Sequence, residues 1–336
     1  MKKVLGMGNA LVDILSKIES DAILNDLSLK KGSMQLIDND FLHFLQEKIT
    51  AENSHLATGG SASNTISGLA KLGVSTGFFG KIGTDSIGAF FKEDASKQGV
   101  QVHLLTSDKK SGCCISLVSP DGERTMGTYL GAACELNIDD LTLSLFDNYS
   151  ILHIEGYLVF NQPLIEKAVV LAKQAGLKIS IDLASFNVVE ENLAFLKNLV
   201  EKYVDVVFAN EEEALSFTGK DAVEAVERIA EMCDIAVVKV GKGGSYIKSV
   251  SEGLVHHVPA TDANAIDTTG AGDLYASGFL FGFTSGYPLA LCGKIGSIVA
   301  GNVVEVMGAK MDESRWEIIK NEIGKLANQH IANLKS

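Results

Sequence analysis

The sequence of 336 residues is short of cysteine, proline and tryptophan, and it contains no long apolar run. A membrane span needs about 20 consecutive apolar residues, which no segment supplies. The chain enters a strand-like segment directly after its first residues, without the apolar core of a secretion signal. The five cysteines form no Cys-x-x-Cys pair, which is typical of packing residues in a reducing compartment. We therefore expect a cytoplasmic protein with no membrane partner.

Positive charge is also scarce. Lysine and arginine number 29 against 42 aspartates and glutamates, so the net charge at pH 7 is −13. Such a field repels nucleic acid phosphates, so no nucleic acid partner is expected. Hydrophobic residues make up 46% and charged residues 21%, which is an ordinary globular composition. The length predicts one large α/β domain over residues 1–336 with a small appendage, as a monomer or homodimer.

The stretch 267–273 (DTTGAGD) opens an apolar helix with small residues and ends in a carboxylate. Free N–H groups at a helix N-terminus bind anions, and glycines let a phosphate approach the backbone closely. Gly270, Ala271 and Gly272 are therefore candidates to stabilise a transferring phosphoryl group. Asp273 is a candidate base for the attacking hydroxyl. The alternative is that the glycines only allow close helix packing while Asp273 complements the helix dipole.

A second glycine loop, Gly59-Gly60, precedes the apolar helical run Ile66–Leu72, so backbone groups again face a ligand at a helix start. The first predicted strand ends at Asn9 and is followed by Asp13, whose carboxylate can accept two O–H donors. Leu11 stands where a dinucleotide fingerprint needs its third glycine, so a dinucleotide site is rejected. A plain turn and a solvated acid remain the alternative interpretations.

Short β-branched runs alternate with helical patterns, which predicts a doubly wound, mostly parallel sheet flanked by helices. The predicted strands are Lys3–Gly8, Ile151–Ile154, Ile179–Asp182, Val204–Ala209 and Ala236–Val240. The predicted helices include Phe41–Ile49, Gln162–Ala175, Ala194–Lys202 and Ala222–Cys233. Binding sites of such sheets lie beyond the carboxyl ends of the strands.

Two segments fall outside this alternation. Residues 14–38 hold apolar stretches too short and mixed for core helices, so strands are expected there. Residues 111–133 predict a hairpin of Cys113–Val118 and Arg124–Leu130 around a turn at 120–122. Because a lone hairpin is marginal in water, we predict that the two segments join as one small β-sheet lid.

In their order along the chain, the loop at 58–65, the motif Asn210-x-x-Glu213 and the stretch 267–273 resemble the signatures of the ribokinase-like, or PfkB, family of carbohydrate and nucleoside kinases. The resemblance runs from Asn9 to Ala309. It implies a ribokinase-like fold, ATP-dependent phosphorylation of a hydroxyl group, and Asp273 as the catalytic base.

The same resemblance assigns residues to the two substrates. Asp13 would accept hydrogen bonds from vicinal sugar hydroxyls, and the lid would reach over the site with its charged tip. The substrate-binding candidates are Asp13, Asn9, Gln35, Gly59, Gly60, Asn64 and Arg124. The ATP-binding candidates are Asn210, Lys239, Gly241, Gly244 and Thr269. Glu213 would act near Mg²⁺ through water, and the loop at Asp267 would hold a potassium ion.

Segments 8–14 and 32–38 look most like the adenosine-kinase branch, with Gln35 placed to reach a base edge. That branch has an aromatic pair where Tyr157 is here followed by Leu158. Phosphorylated acceptors need fixed cations, preferably arginine, yet only Arg124 of the three arginines is expected near the pocket. We therefore predict an uncharged acceptor, with nucleosides slightly ahead of free sugars. A ribokinase- or fructokinase-type sugar kinase and a binding protein without chemistry are the alternatives.

Overall fold

The computed structural model describes residues 2–48, 54–120 and 124–335. Its strands are β1 (Val4–Met7), β2 (Leu11–Lys17), β3 (Met34–Leu36), β4 (Ser54–Gly59), β5 (Thr76–Gly83), β6 (Val100–Ser107), β7 (Gly112–Val118), β8 (Arg124–Tyr129), β9 (Ile151–Glu155), β10 (Lys178–Asp182), β11 (Val206–Asn210), β12 (Ile235–Lys239), β13 (Ser245–Ser249) and β14 (Val255–Val258). Its α-helices are α1 (Ala22–Asp26), α2 (Asn39–Lys48), α3 (Ser61–Lys71), α4 (Ser86–Lys97), α5 (Gln162–Gln174), α6 (Phe186–Glu191), α7 (Leu193–Tyr203), α8 (Glu211–Thr218), α9 (Ala222–Ala230), α10 (Ala271–Thr284), α11 (Leu289–Val303) and α12 (Glu313–Lys335). The predicted helix end at Ile49 and most of the predicted turn, residues 121–122, lie outside the described residues.

The main sheet has nine strands in the order β14-β13-β12-β11-β10-β9-β1-β5-β6. Every neighbouring pair from β12 to β6 is parallel, whereas the pairs β12–β13 and β13–β14 at one edge are antiparallel. The predicted doubly wound, mostly parallel sheet is thus confirmed. The strand order runs away from β1 in both directions, so the connections after β1 and β9 diverge. Such a divergence leaves a crevice at the carboxyl edge, where ligands bind.

Alternate residues of the central strands face two separate cores. On β1, Leu5 and Met7 pack with one layer of helices, while Val4 packs with the layer on the opposite face. Because both faces are covered, β1, β5 and β9 are buried along their whole lengths. This double burial explains why their sequences lack the alternation of apolar and polar residues that marks a half-buried strand.

A second sheet has the order β3-β8-β7-β2-β4. The segments 14–38 and 111–133 meet in it, because β2 pairs with β7 and β3 pairs with β8, both in parallel. Two details differ from the expectation. Strand β4 also belongs to this sheet, and residues 14–38 include the helix α1, which buries Leu24. Whether this sheet opens and closes as a lid stays a prediction.

No helix in the described part of the chain is both long and apolar enough to cross a membrane.

Helices α10 and α11 approach each other closely through glycine. A Cβ added at Gly278 would lie 2.7 Å from the Ile295 carbonyl oxygen and 2.9 Å from the Gly296 Cα. These are backbone atoms, which cannot rotate away as a side chain could. The position of Asp273, one turn earlier on α10, therefore depends on this packing.

We expect Gly278→Ala to lower the free energy of unfolding by about 1–3 kcal/mol, the usual cost of overpacking a core. The measurement is urea unfolding followed by circular dichroism. Gly324→Ala on α12 is the matched control, since nothing lies within 4 Å of a Cβ there. That control should be neutral or slightly stabilising because alanine favours a helix. Equal stability of the two variants would contradict the packing argument.

Candidate active site

Two helix N-termini meet at the carboxyl edge of the main sheet. Ser61 and Asn64 lie in the first turn of α3, and Asp273 lies in the first turn of α10. Ser61 Oγ donates to Asp273 Oδ1 (2.7 Å), and Asn64 Nδ2 donates to Asp273 Oδ2 (3.0 Å). Burial raises the pKa of Asp273, and the two donors partly offset that rise. The two glycine loops thus come together around one carboxylate whose orientation is fixed.

The loop before Asp273 presents backbone N–H groups to the same place. Gly270 has a φ of 73°, a left-handed conformation that favours glycine. Across the described residues, no hydrogen bond joins the N–H of Gly270 or Gly272 to an acceptor, whereas the N–H of Ala271 donates to the Thr268 carbonyl (3.1 Å). Two amides are therefore ready to bind an anion, and Ala271 could contribute only by giving up its turn hydrogen bond.

Lys239 and Asp182 form a buried ion pair where β12 and β10 end, with Nζ and Oδ2 separated by 2.7 Å. Burial alone would lower the pKa of Lys239, but Asp182 and Glu213 outweigh it, so that pKa is raised. A Cβ on Gly272 would lie 3.0 Å from Lys239 Nζ, so the charged ammonium faces the free amides. From the sequence, Asp182 is expected at the ligand-binding edge of the sheet, but a lone acid at the end of a strand carries no signal of its partner lysine 57 residues away.

Asn210 and Glu213 form a capping box at the start of α8. Asn210 Oδ1 accepts from the Glu213 N–H (2.8 Å), and the two Glu213 oxygens accept from Asn210 N (2.8 Å) and Asn210 Nδ2 (2.7 Å). Burial, with the nearby Asp182 charge, raises the pKa of Glu213 to about 7. Each Glu213 oxygen keeps a second lone pair, which suits a water bound to Mg²⁺.

A cavity of about 650 Å³ joins these groups to a nucleotide-sized space. Among the predicted ATP-binding residues, Asn210, Lys239, Gly241 and Gly244 line it, whereas Thr268 lines it in place of Thr269. Gly244 has a φ of 94°, and a Cβ there would lie 2.8 Å from the Ala260 N. Free amides, a lysine and a glycine-lined wall fit a polyphosphate. The further lining residues include Ser61, Tyr157, Asp182, Asp262, Thr261, Ser297 and Gly301.

Asp13 lies on β2, across the same edge from the nucleotide cavity. A Cβ at Gly59 would overlap the Asp13 carboxylate, so glycine is needed beside it. Burial raises the pKa of Asp13 to about 6, although the Lys310 and Arg124 charges act in the opposite direction. Asn64 Oδ1 is buried without a hydrogen-bond partner in the described chain, which leaves an acceptor for a hydroxyl group. Asp13, Gly59 and Asn64 thus lie together as expected.

Besides Arg124, Lys310 is a cation near Asp13, and it was not among the predicted site residues. It follows the turn at Gly308 and donates to Gln98 Oε1 (3.4 Å). Burial lowers the pKa of Lys310 to about 8, and the charges of Asp94, Asp13 and Asp273 partly oppose that fall. No lysine lies within segments 9–13 or 59–64, so the sequence gives no sign of this cation, which only the fold brings to the site.

Asn9 and Gln35 make contacts other than the predicted substrate contacts. Asn9 is buried, and both its N–H and its Nδ2 donate to Glu155 Oε1 (2.8 and 2.6 Å). Glu155 Oε2 accepts from the Ala62 N–H (3.0 Å), so this carboxylate ties β1, β9 and α3 together. Gly60, with a φ of 90°, packs against the Asn9 carbonyl. Gln35 lies on edge strand β3 and donates to Ser33 Oγ (3.4 Å), so these contacts do not bring it to Asp273.

Arg124 does reach the active site from the small sheet, but it contacts protein groups there. Its Nη2 pairs with Asp267 Oδ2 at 2.5 Å, and its Nη1 donates to Thr269 Oγ1 (3.2 Å). Thr269 N and Oγ1 in turn donate to Asp267 Oδ1. Arg124, Thr269 and Asp267, which were predicted to contact the acceptor, the nucleotide and a cation respectively, thus form one hydrogen-bonded network beside Gly270.

The sequence profile of the pfkB family of carbohydrate kinases matches residues 27–315 of this chain. The chain belongs to this family. The structure of adenosine kinase from Sinorhizobium meliloti is 34% identical, with a TM-score of 0.86 and a match covering 96% of this chain and 99% of that one. A probable sugar kinase from Rhizobium etli CFN 42 is 35% identical, also with a TM-score of 0.86, over 96% and 98% of the two chains.

A further relative carries the name of a kinase for a different acceptor. The 5-dehydro-2-deoxygluconokinase of Bacillus subtilis (strain 168) is 30% identical over 262 residues, which are 73% of this chain and 80% of that protein. The chain is therefore a sugar or nucleoside kinase with the ribokinase-like fold, and its family uses ATP and a divalent metal. These relatives differ in acceptor, so family membership leaves the acceptor open.

The buried Glu155 should make the stability of this kinase depend on pH. Burial raises the pKa of Glu155 from 4.5 to about 7, so the folded state holds a proton that the unfolded chain loses first. This contribution is fully present below pH 4.5 and is lost as the pH rises through about 7, with a size of up to about 3 kcal/mol. Urea unfolding of Glu155→Gln at several pH values should therefore show a shallower decline than the wild type. The exposed Glu317→Gln serves as the control, and equal slopes for all three proteins would contradict the assignment.

Proposed function

We propose that this kinase transfers the γ-phosphoryl group of ATP, carried as its magnesium complex, to a primary hydroxyl of an uncharged nucleoside or sugar. A nucleoside such as adenosine is the favoured acceptor. The observation that supports the reaction is the carboxylate of Asp273, held by Ser61 and Asn64 beside the free amides of Gly270 and Gly272. The favoured acceptor rests on the likeness to an adenosine kinase that is 34% identical.

The reaction balances with residues of this chain in named roles. Asp273 takes the proton of the acceptor hydroxyl while the oxygen of that hydroxyl forms a bond to the γ-phosphorus of ATP. The bond between the γ-phosphorus and the β,γ-bridging oxygen breaks, which releases ADP. The amides of Gly270 and Gly272 and the ammonium of Lys239 stabilise charge on the transferring group. The raised pKa of Asp273 makes it a better proton acceptor than an exposed aspartate.

Magnesium would be held mainly by the nucleotide. In the described residues, no group of three His, Cys, Asp or Glu side chains could hold a metal ion alone. Bound with ATP, the ion would neutralise phosphate charge, and the spare lone pairs of Glu213 would orient one of its waters. The expected potassium ion at Asp267 fits less well, because that carboxylate is already paired with Arg124.

An acidic sugar is the second candidate acceptor, and Lys310 is the observation that favours it. This ammonium lies near Asp13, and a relative is by name a gluconokinase, which acts on a sugar acid. The remaining arginines are engaged elsewhere, since Arg228 pairs with Glu231 and Arg315 pairs with Glu305. On this side of the site, Lys310 has only a long hydrogen bond to Gln98 and no ion pair within the described residues. This one lysine is enough for a carboxylate but a weak basis for a phosphate dianion.

A screen of ATP consumption separates the two candidates. We expect kcat/KM to be highest for adenosine or another uncharged acceptor, with ribose and fructose below it and 5-dehydro-2-deoxygluconate lowest. If the acid is preferred, Lys310→Met should raise its KM while leaving the KM of ribose unchanged. A preference for a sugar phosphate over every uncharged acceptor would contradict both candidates.

Asp273→Asn should reduce kcat by at least ~10²-fold, the usual loss when a general base is removed. The substitution keeps the shape of the side chain. The Ser61 hydroxyl can turn to accept from the new amide while Asn64 still donates to its oxygen. Binding of ATP and acceptor, measured by calorimetry, should therefore change little. A variant with near-normal turnover would show that Asp273 is not the base.

Glu213→Gln should raise the Mg²⁺ concentration needed for half-maximal rate about 10-fold, as expected for an outer-shell partner. The capping role of Glu213 requires a matched control, because losing a cap also lowers stability. Asp221→Ala supplies it: Asp221 caps α9 through the N–H groups of Val223 and Glu224. Both variants should lose stability, but only Glu213→Gln should change the Mg²⁺ dependence. An unchanged Mg²⁺ dependence would leave Glu213 with the capping role alone.

A further inference from the structure

The Asp267 carboxylate has its full set of hydrogen bonds. Oδ1 accepts from Thr269 N (3.0 Å) and Thr269 Oγ1 (2.8 Å), and Oδ2 accepts from Gly308 N (2.6 Å) and pairs with Arg124 Nη2 (2.5 Å). Each carboxylate oxygen has two lone pairs, and four donors use all of them. A potassium ion bound to Asp267 would have to displace one of these donors. The Asp267 carboxylate therefore has no free position for the cation that the family resemblance suggested.

The donors come from three separate parts of the chain. Thr269 belongs to the loop before α10, Gly308 to the turn after α11, and Arg124 to the first position of β8 in the small sheet. The turn at Gly308 packs on the phosphate loop, since a Cβ at Gly270 would lie 2.5 Å from the Ala309 Cβ. Asp267 is thus the point at which the small sheet is joined to the loop that carries the free amides.

The ion pair between Arg124 and Asp267 is buried, so its electrostatic interaction is strong. The Arg124 and Asp267 side chains are only 9% and 8% exposed. Solvent and salt screen such a pair weakly, and removal of one partner leaves an uncompensated buried charge. The planar guanidinium also meets Thr269 Oγ1 with its second Nη, so one side chain neutralises the carboxylate and fixes the loop orientation.

We propose that the Arg124 guanidinium takes the place of a monovalent cation at Asp267. The conformation of the loop that carries Gly270 and Gly272 then depends on the position of the small sheet and not on potassium. This inference rests on the proposed kinase reaction, in which that loop supplies the amides. Arg124 is then a positioning residue, acting on the phosphoryl group through Asp267 and the Gly270 loop. On this proposal Asp267 needs no monovalent cation, because Arg124 of β8 supplies its counter-charge.

The first test compares rates of the wild-type kinase in potassium chloride and in tetramethylammonium chloride at equal ionic strength. Tetramethylammonium is too bulky for an oxygen-lined cation site, so it reports only on general screening. We expect the two rates to agree within about twofold, since ionic strength is the shared variable. A wild-type rate that rises about tenfold or more in potassium would overturn the proposal.

The second test removes the guanidinium. Arg124→Ala leaves the Asp267 carboxylate without a counter-charge, so we expect kcat/KM in tetramethylammonium to fall on the order of 10²-fold, the effect of a misplaced loop. Potassium should restore a substantial part of that loss. Arg315→Ala is the matched control, because Arg315 pairs with Glu305 at 2.9 Å outside the site. This control should stay insensitive to potassium.

Two further variants separate charge from shape, and they also cover an alanine variant that fails to fold. Arg124→Gln keeps donor groups without charge, so it should gain a potassium dependence. Arg124→Lys keeps the charge without the planar fork, so it should be slower than the wild type yet insensitive to potassium. The same response of both variants to potassium would overturn the proposal.

A readout without ATP distinguishes failure of this inference from failure of the proposed function. The midpoint of thermal unfolding of Arg124→Ala, or of Arg124→Gln, should be higher in potassium than in tetramethylammonium, while that of the wild type should be the same in both. If no acceptor is phosphorylated, the proposed function fails, but this thermal comparison still decides the role of Arg124. Absence of any potassium effect on the uncharged variants, in rate and in midpoint, would overturn the inference.

Discussion

The close approach of α3 and α10 is the constraint on which the active site depends. A Cβ at Gly68 would lie 2.8 Å from the Ser277 Cβ and 2.9 Å from Leu274 Cδ1, so only glycine lets the two helices come this near. That approach places the first turn of α3 within hydrogen-bond distance of Asp273. It also aims two helix N-termini, with their partial positive charges, at one place. The same packing thus produces both the fixed Asp273 carboxylate and the free amides beside it.

Several charged side chains are concentrated at the candidate site. Asp182, Glu213 and Lys239 are buried together at the carboxyl edge of the sheet, and Glu155 lies beneath them with three N–H donors. Burial raises the pKa of both glutamates to about 7, which means that their ionised forms cost stability near neutral pH. Such a cluster is typical of a site that binds phosphate and metal, because charged ligands can compensate the buried charges.

Two side chains of the small sheet reach the candidate site. Asp13 lies on β2 and is close to the Asp273 charge, and Arg124 extends from β8 to Asp267 in the loop before α10. Because β2 and β8 both pair with β7, any displacement of this sheet moves both residues together. If the proposed function holds, this linkage would couple acceptor binding to the arrangement of the Gly270 loop and favour transfer to the acceptor over transfer to water.

The sequence by itself determined the doubly wound sheet and the two glycine loops. Buried parallel strands leave apolar runs that can be read locally, and the predicted strand at 179–182 differs from β10 by one residue. The stretch 267–273 was informative for the same reason, since the left-handed φ of 73° at Gly270 is a local backbone requirement that favours glycine. Only the tertiary structure decided the partners of the charges. Lys239 meets Asp182 across 57 residues, Asn9 meets Glu155 across 146, and Ser61 meets Asp273 across 212. A charged side chain carries no local mark of its partner, which is chosen by strand order and helix packing; for that reason Lys310 and the Arg124–Asp267 pair could not be foreseen from the sequence.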